Sequence, residues 1–188
     1  IRLILWVLVV LAAIGATALF LLRPPANPLG LTGAPFTLTS TKGGTFTQND
    51  LRGTPSLLFF GYTFCPDVCP TTMAEIVSWR EALGLSPEQL RTIFVTVDPE
   101  RDTVPVLKDY LEAFDPAIIG LVGTDEQTTA VKSAFGASSE KVGEGENYLV
   151  NHTASVYLLD RNGSFQGTIA FGEDRQAALA KIKRLVER

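Results

Sequence analysis

The chemistry this chain can do rests on three side chains. Cys65 and Cys69 are the only cysteines and His152 is the only histidine. The cysteines lie in Gly61-Tyr62-Thr63-Phe64-Cys65-Pro66-Asp67-Val68-Cys69-Pro70, between a short apolar run and a segment with helical patterning. A spacing of i, i+4 brings two side chains to one face of a helical turn, with Cα atoms about 6 Å apart, so the sulfurs can close a disulfide or grip one ion. At a helix N-terminus the unpaired backbone N–H groups favour the thiolate, which serves as nucleophile or as metal ligand. A structural disulfide is the plain alternative. It gains little from so short a loop, because the stabilisation grows with loop length.

A lone histidine is ordinarily a hydrogen-bonded bystander, but the placement of His152 argues for more. It precedes an apolar run, Ala154–Leu159, which is read as the strand it leads into. In a thioredoxin-like order that point lies beside the cysteine loop, where thiol oxidoreductases of the fold carry a proline, and no proline follows Pro116. Two thiolates and one imidazole form a soft set that selects copper, with zinc as the competitor. Asp67, inside the cysteine loop, is the carboxylate expected to orient a ligand from behind. Asp98 and Asp102 are read as turn caps, with Arg101 paired to the neighbouring carboxylates.

Strands alternating with helices must hold these residues. Phe36–Thr39 and Thr45–Thr47 flank Lys42-Gly43-Gly44 and read as a hairpin. Ser56–Phe60 and Thr92–Val97 are short apolar runs, the pattern of strands buried on both faces. Pro70 is expected at the first helical position, opening a helix to Leu83. A second helix follows a cap at Asp102 or Thr103, a third strand covers Ile118–Val122, and a third helix covers Thr124–Phe135. Gly136–Tyr148 is polar and glycine-containing and reads as a loop. Ala154–Leu159 and Ser164–Ala170 flank Asn162-Gly163, a hairpin signal, and a last helix starts near Glu173. The pattern is α/β: a mixed sheet with helices on both faces, thioredoxin-like in order and displaced toward the peroxiredoxin-like branch by the early hairpin and central insertions.

With 46% hydrophobic and 19% charged residues over 188, the composition is that of a folded chain with room for about one domain. Leu3–Leu22 contains no charge across twenty residues. At about 1.5 Å of rise per residue that is roughly 30 Å of helix, the thickness of a hydrocarbon core. Phe20-Leu21-Leu22-Arg23-Pro24-Pro25 offers no small-residue cleavage site, so residues 3–22 are expected to be an uncleaved transmembrane anchor. Residues 23–30, with Pro24, Pro25 and Pro28, form a stiff linker, and residues 31–188 form the domain. Beyond Arg2 and Arg23, 14 of the 16 Lys and Arg remain against all 20 Asp and Glu, and no basic patch is interleaved with aromatics, so nucleic acid is excluded as a partner.

Three motifs in order carry a resemblance to a known family. They are Phe59-Phe60-Gly61-Tyr62-Thr63 running into Cys65-Pro66-Asp67-Val68-Cys69-Pro70, then Val97-Asp98-Pro99-Glu100-Arg101-Asp102-Thr103, then Asn151-His152-Thr153. With the apolar span and spacer ahead of them, the chain resembles the Sco/SenC family of membrane-anchored copper proteins that serve cytochrome c oxidase assembly. The resemblance implies a thioredoxin-like fold and one copper ion held by Cys65, Cys69 and His152. It also implies delivery to the binuclear copper centre of oxidase subunit II, with other copper carriers as further partners. The expected location is a single-pass inner (cytoplasmic) membrane with the domain on the periplasmic side, or the mitochondrial inner membrane as its equivalent. A thiol-disulfide reductase that keeps the cysteines of the partner's copper site reduced is the alternative function, with Cys65 and Cys69 paired in the oxidised form. A peroxidase fits less well, since Tyr62 stands three residues before Cys65 where peroxiredoxins place threonine.

Overall fold

The computed structural model describes residues 2–21, 30–145 and 147–187. Its first element is a helix, α1 (Arg2–Leu21), whose described apolar side chains are exposed. Among the described residues no helix is long and apolar enough to cross a membrane. Residues 22–29, most of the expected linker, lie outside the described residues.

The body is a seven-stranded sheet built from β1 (Thr37–Ser40), β2 (Thr45–Thr47), β3 (Ser56–Gly61), β4 (Arg91–Thr96), β5 (Ile119–Val122), β8 (Ser155–Leu159) and β9 (Phe165–Ala170), in the order β2-β1-β5-β4-β3-β8-β9. β3, β4 and β5 are parallel, β8 runs antiparallel to β3, and β9 turns back antiparallel to β8. The β4-β3-β8-β9 part is the strand order of a thioredoxin-like fold. The two apolar runs are its central strands, and every residue of β3 is buried.

Successive side chains of β3 point to opposite faces, and both faces are covered. Phe59 packs on Phe94, and Phe94 on Tyr110 of α3 (Val104–Glu112). Phe60 packs instead on Tyr157 and on Phe135 of α4 (Asp125–Phe135). On the Phe59 face, α2 (Val68–Ala82) sits between α3 and α5 (Arg175–Val186). The buried Arg80 of α2 pairs with Asp115 just after α3, and Arg175 of α5 donates to Ser78 of α2 at 2.9 Å. Caps fall at Thr103, Thr124 and Asp174, each side chain accepting an N–H of the first turn.

Three sequence expectations need correction. α2 starts at Val68, so Pro70 is its third residue; the first turn tolerates this because its N–H groups have no intrahelical acceptor anyway. Gly136–Tyr148 is not all loop: β6 (Ser139–Val142) pairs antiparallel with β7 (Leu149–His152) as a separate two-stranded sheet. Three of the four β6 residues are exposed, so the strand has no alternating apolar pattern by which to be read. His152 consequently ends β7 and does not lead directly into β8.

Candidate metal centre

The site forms where β3 ends. Cys65 closes a tight turn, its N–H donating to the carbonyl of Tyr62 at 3.3 Å, and Cys69 is the second residue of α2. The Cys69 N–H points at Cys65 Sγ, 3.4 Å away. Gly61 makes room for this: a Cβ at that position would lie 2.8 Å from Cys69 Sγ and 2.7 Å from Phe94 Cζ. The hairpin brings His152 from the other side, with Nε2 at 3.4 Å from Cys69 Sγ. One donor atom from each of Cys65, Cys69 and His152 lies within 4.8 Å of the others. Cys69 is buried, while Cys65 and His152 are half-buried and line an open groove of about 210 Å³.

The electrostatics separate the two thiols. A hydrogen bond from the Cys69 thiol holds Cys65 down at about 4, helped by the backbone N–H groups of Cys69 and Asp67. The same bond, with burial, pushes Cys69 up. Cys65 is therefore the thiolate and Cys69 the thiol at neutral pH. His152 Nδ1 lies 3.0 Å from the carbonyl of Thr153, which can only accept. The proton therefore belongs on Nδ1, and the lone pair of Nε2 faces the sulfurs. Both cysteines are free.

Asp67 meets the site through its backbone and not through its carboxylate. Its backbone N–H serves Cys65, but its carboxylate is exposed, makes no cap bond to α2, and accepts only from Thr71 Oγ1 at 3.3 Å. The second layer is elsewhere. Asp102, fully buried, accepts from Thr63 N–H (3.0 Å), Thr63 Oγ1 (2.5 Å) and Thr96 Oγ1 (2.6 Å), tying the cysteine loop to the end of β4. Tyr62, three residues before Cys65, accepts the Val150 N–H on its hydroxyl at 3.2 Å and meets the His152 ring edge-on at 5.8 Å. Asp98 does pair with Arg101, at 2.5 Å, as expected. It also accepts from Tyr148 Oη at 2.6 Å, which no local pattern reveals because the two lie fifty positions apart.

The donor set meets the requirements of a soft metal: one sulfur already anionic, a second that becomes so by giving up its hydrogen-bonded proton, and an imidazole in the ligating tautomer. A thioredoxin-order sheet that presents these three atoms at a helix start defines a thiol-based metal-binding protein. The family follows from comparison with known proteins. The SCO1/SenC family model matches residues 25–187, and the chain belongs to that family. The mitochondrial protein SCO2 of Saccharomyces cerevisiae is 36% identical over 159 residues, covering 82% of this chain and 53% of the yeast protein. The chain thus spans about half the length of that relative. Among solved structures, copper-bound ScoI of Bradyrhizobium japonicum is 40% identical with a TM-score of 0.74, over 82% of this chain and 99% of that one. Copper-bound yeast Sco1 is 33% identical with a TM-score of 0.75, over 84% and 89%.

Proposed function

We propose that this chain is a membrane-anchored copper carrier that holds one copper ion on Cys65, Cys69 and His152 and passes it to the binuclear copper centre of cytochrome c oxidase subunit II. The observation that carries the reading is the convergence of the three donor atoms within 4.8 Å. Copper arrives as cargo. Cys69 gives up its proton on binding, and the half-exposed Cys65 and His152 leave one side of the site open to an acceptor's ligands. The copper-bound relatives and the family membership support the same assignment. Residues 3–22 serve as the anchor, residues 23–30 as the linker and residues 31–188 as the carrier domain, in an inner membrane with the domain on the periplasmic side. The uncharged run from Leu3 to Leu22 and the exposed apolar side chains of α1 support this arrangement.

The asymmetry of the cysteines favours one second reading, reduction of the partner's copper-site disulfide. In it the Cys65 thiolate attacks one partner sulfur and releases the other as a thiolate. Cys69 then attacks Cys65 Sγ, freeing the second partner thiol and leaving a Cys65–Cys69 disulfide. One measurement separates the two: copper stoichiometry of the purified chain, reduced and oxidised, beside its dithiol reduction potential. A carrier binds one copper per chain only when reduced. Equal copper in the oxidised protein, or in a Cys65→Ser, Cys69→Ser double variant, places the metal elsewhere. No copper in either state, with a potential reducing enough to open the partner disulfide, selects the reductase.

A further inference from the structure

We infer that Arg101 is a positioning residue of the metal centre: it clamps the β6–β7 hairpin against the cysteine loop and so presets His152 before metal arrives. The inference rests on Cys65, Cys69 and His152 being the ligands. The hairpin that carries His152 is a sheet of its own, with no ladder to the seven-stranded sheet among the described residues, so side chains must fix its position. Arg101 reaches both ligand-bearing segments through its charged end. Its guanidinium carbon lies 3.7 Å from the Tyr148 ring centroid and 4.7 Å from that of Phe64. Nη1 donates to the Tyr148 carbonyl at 3.0 Å, and Nε donates to Asp98 at 2.5 Å.

Phe64 directly precedes Cys65, and Tyr148 stands four residues before His152. Asp98, fully buried, closes the arrangement by accepting from both Arg101 and Tyr148 Oη. A planar cation is needed here, because stacking between two rings while donating in its own plane is a guanidinium's geometry and not an ammonium's. Further ties are Tyr62 Oη to Val150 N–H, Lys132 Nζ to Ser139 Oγ at 2.9 Å, and Glu100, which pairs with Lys141 of β6 at 2.5 Å and accepts from Tyr148 Oη at 3.2 Å. Tyr62 also joins the cysteine loop to the hairpin, by one neutral hydrogen bond and an edge contact with the His152 ring, whereas Arg101 joins them by two ring contacts and a charged hydrogen bond. Preplacing a ligand raises affinity by removing the ordering cost from the binding step.

The test uses the full chain in detergent, with Arg101→Met, which keeps the apolar stem, and Tyr148→Leu, which removes the stacking face but leaves the Asp98–Arg101 pair. Each is made alone and with His152→Ala. Expected for both is a loss of copper(I) affinity of about tenfold or more and a shifted copper(II)–thiolate absorption, with the Cys65–Cys69 disulfide still forming on oxidation. In the His152→Ala background neither substitution lowers affinity further. In the metal-free protein, amide exchange at Val150 accelerates in both variants. Unchanged affinity and exchange in a folded variant would overturn the inference. So would an equal loss with and without His152, because the arginine would then support the whole domain and not the imidazole. A wild-type chain that bound no copper would instead overturn the ligand reading, while metal-free exchange would still report the clamp.

Discussion

Cys65 and Cys69 differ in exposure and in charge although they sit four residues apart, and this difference is open to measurement. A thiol held near 4 is a thiolate at every pH above about 5, so the reactivity of Cys65 should stay flat from pH 8 down to pH 5 before it falls. Cys69, pushed up and buried, should resist alkylation over the same range. Peptide mapping after brief iodoacetamide treatment of the metal-free protein reads both. In Cys69→Ala the main stabilising donor is gone and the onset of Cys65 reactivity should move to higher pH; an unmoved onset would assign the lowering to the backbone alone. His152→Ala should weaken copper binding by more than about tenfold, the lower end of what even an outer partner costs, while the fold and the disulfide survive. Loss of structure in the metal-free variant would make the imidazole a core residue. The ligand types were legible from the chain because only three such residues exist. The role of Asp67 was not: spacing places a residue in a turn but does not say where its carboxylate points.

At the scale of elements, the cysteine loop is held by contacts that strand and helix patterns do not encode. Thr63→Val keeps the shape and removes the 2.5 Å bond to the buried Asp102 carboxylate. A hydrogen bond to a charged group is worth roughly 1.5–3 kcal/mol, so denaturant unfolding of the domain should shift by that order; no shift would show that the loop is fixed without Asp102. Gly61→Ala should overpack the space beside Cys69 Sγ and Phe94, costing about 1–3 kcal/mol and displacing the copper–thiolate band. The central strands and the helices α2 to α5 were readable because their burial is periodic or continuous. β6 was not, because three of its four side chains face solvent and it pairs with its neighbour through backbone hydrogen bonds alone. The missed strand is the one that decides where His152 sits.

For the whole molecule, the proposed anchor and the site are separate functions on one chain. A version lacking Leu3–Leu22 but exported normally should bind copper as well as the full chain and yet support oxidase assembly poorly at native abundance and low copper, because tethering raises the effective concentration of membrane-bound partners. Full activity of the untethered domain at matched abundance would reduce the span to an export signal. Where the tether joins the domain matters as much as its presence. Gly30 bridges to Ser164, its N–H donating to the Gly163 carbonyl at 2.8 Å, in the turn between β8 and β9. That turn lies beyond Ser56, the starting end of β3, whereas the cysteines follow its finishing end. Six residues at about 3.3 Å each separate the two poles by roughly 20 Å. A leash of the kind proposed, entering at Gly30, would thus be fastened to the floor of the domain, with the three donor atoms in its ceiling. Held upright on the proposed anchor, such a carrier would offer its cargo to whatever stands out from the bilayer, and a copper site sunk between membrane helices would be served only if the domain toppled onto its side.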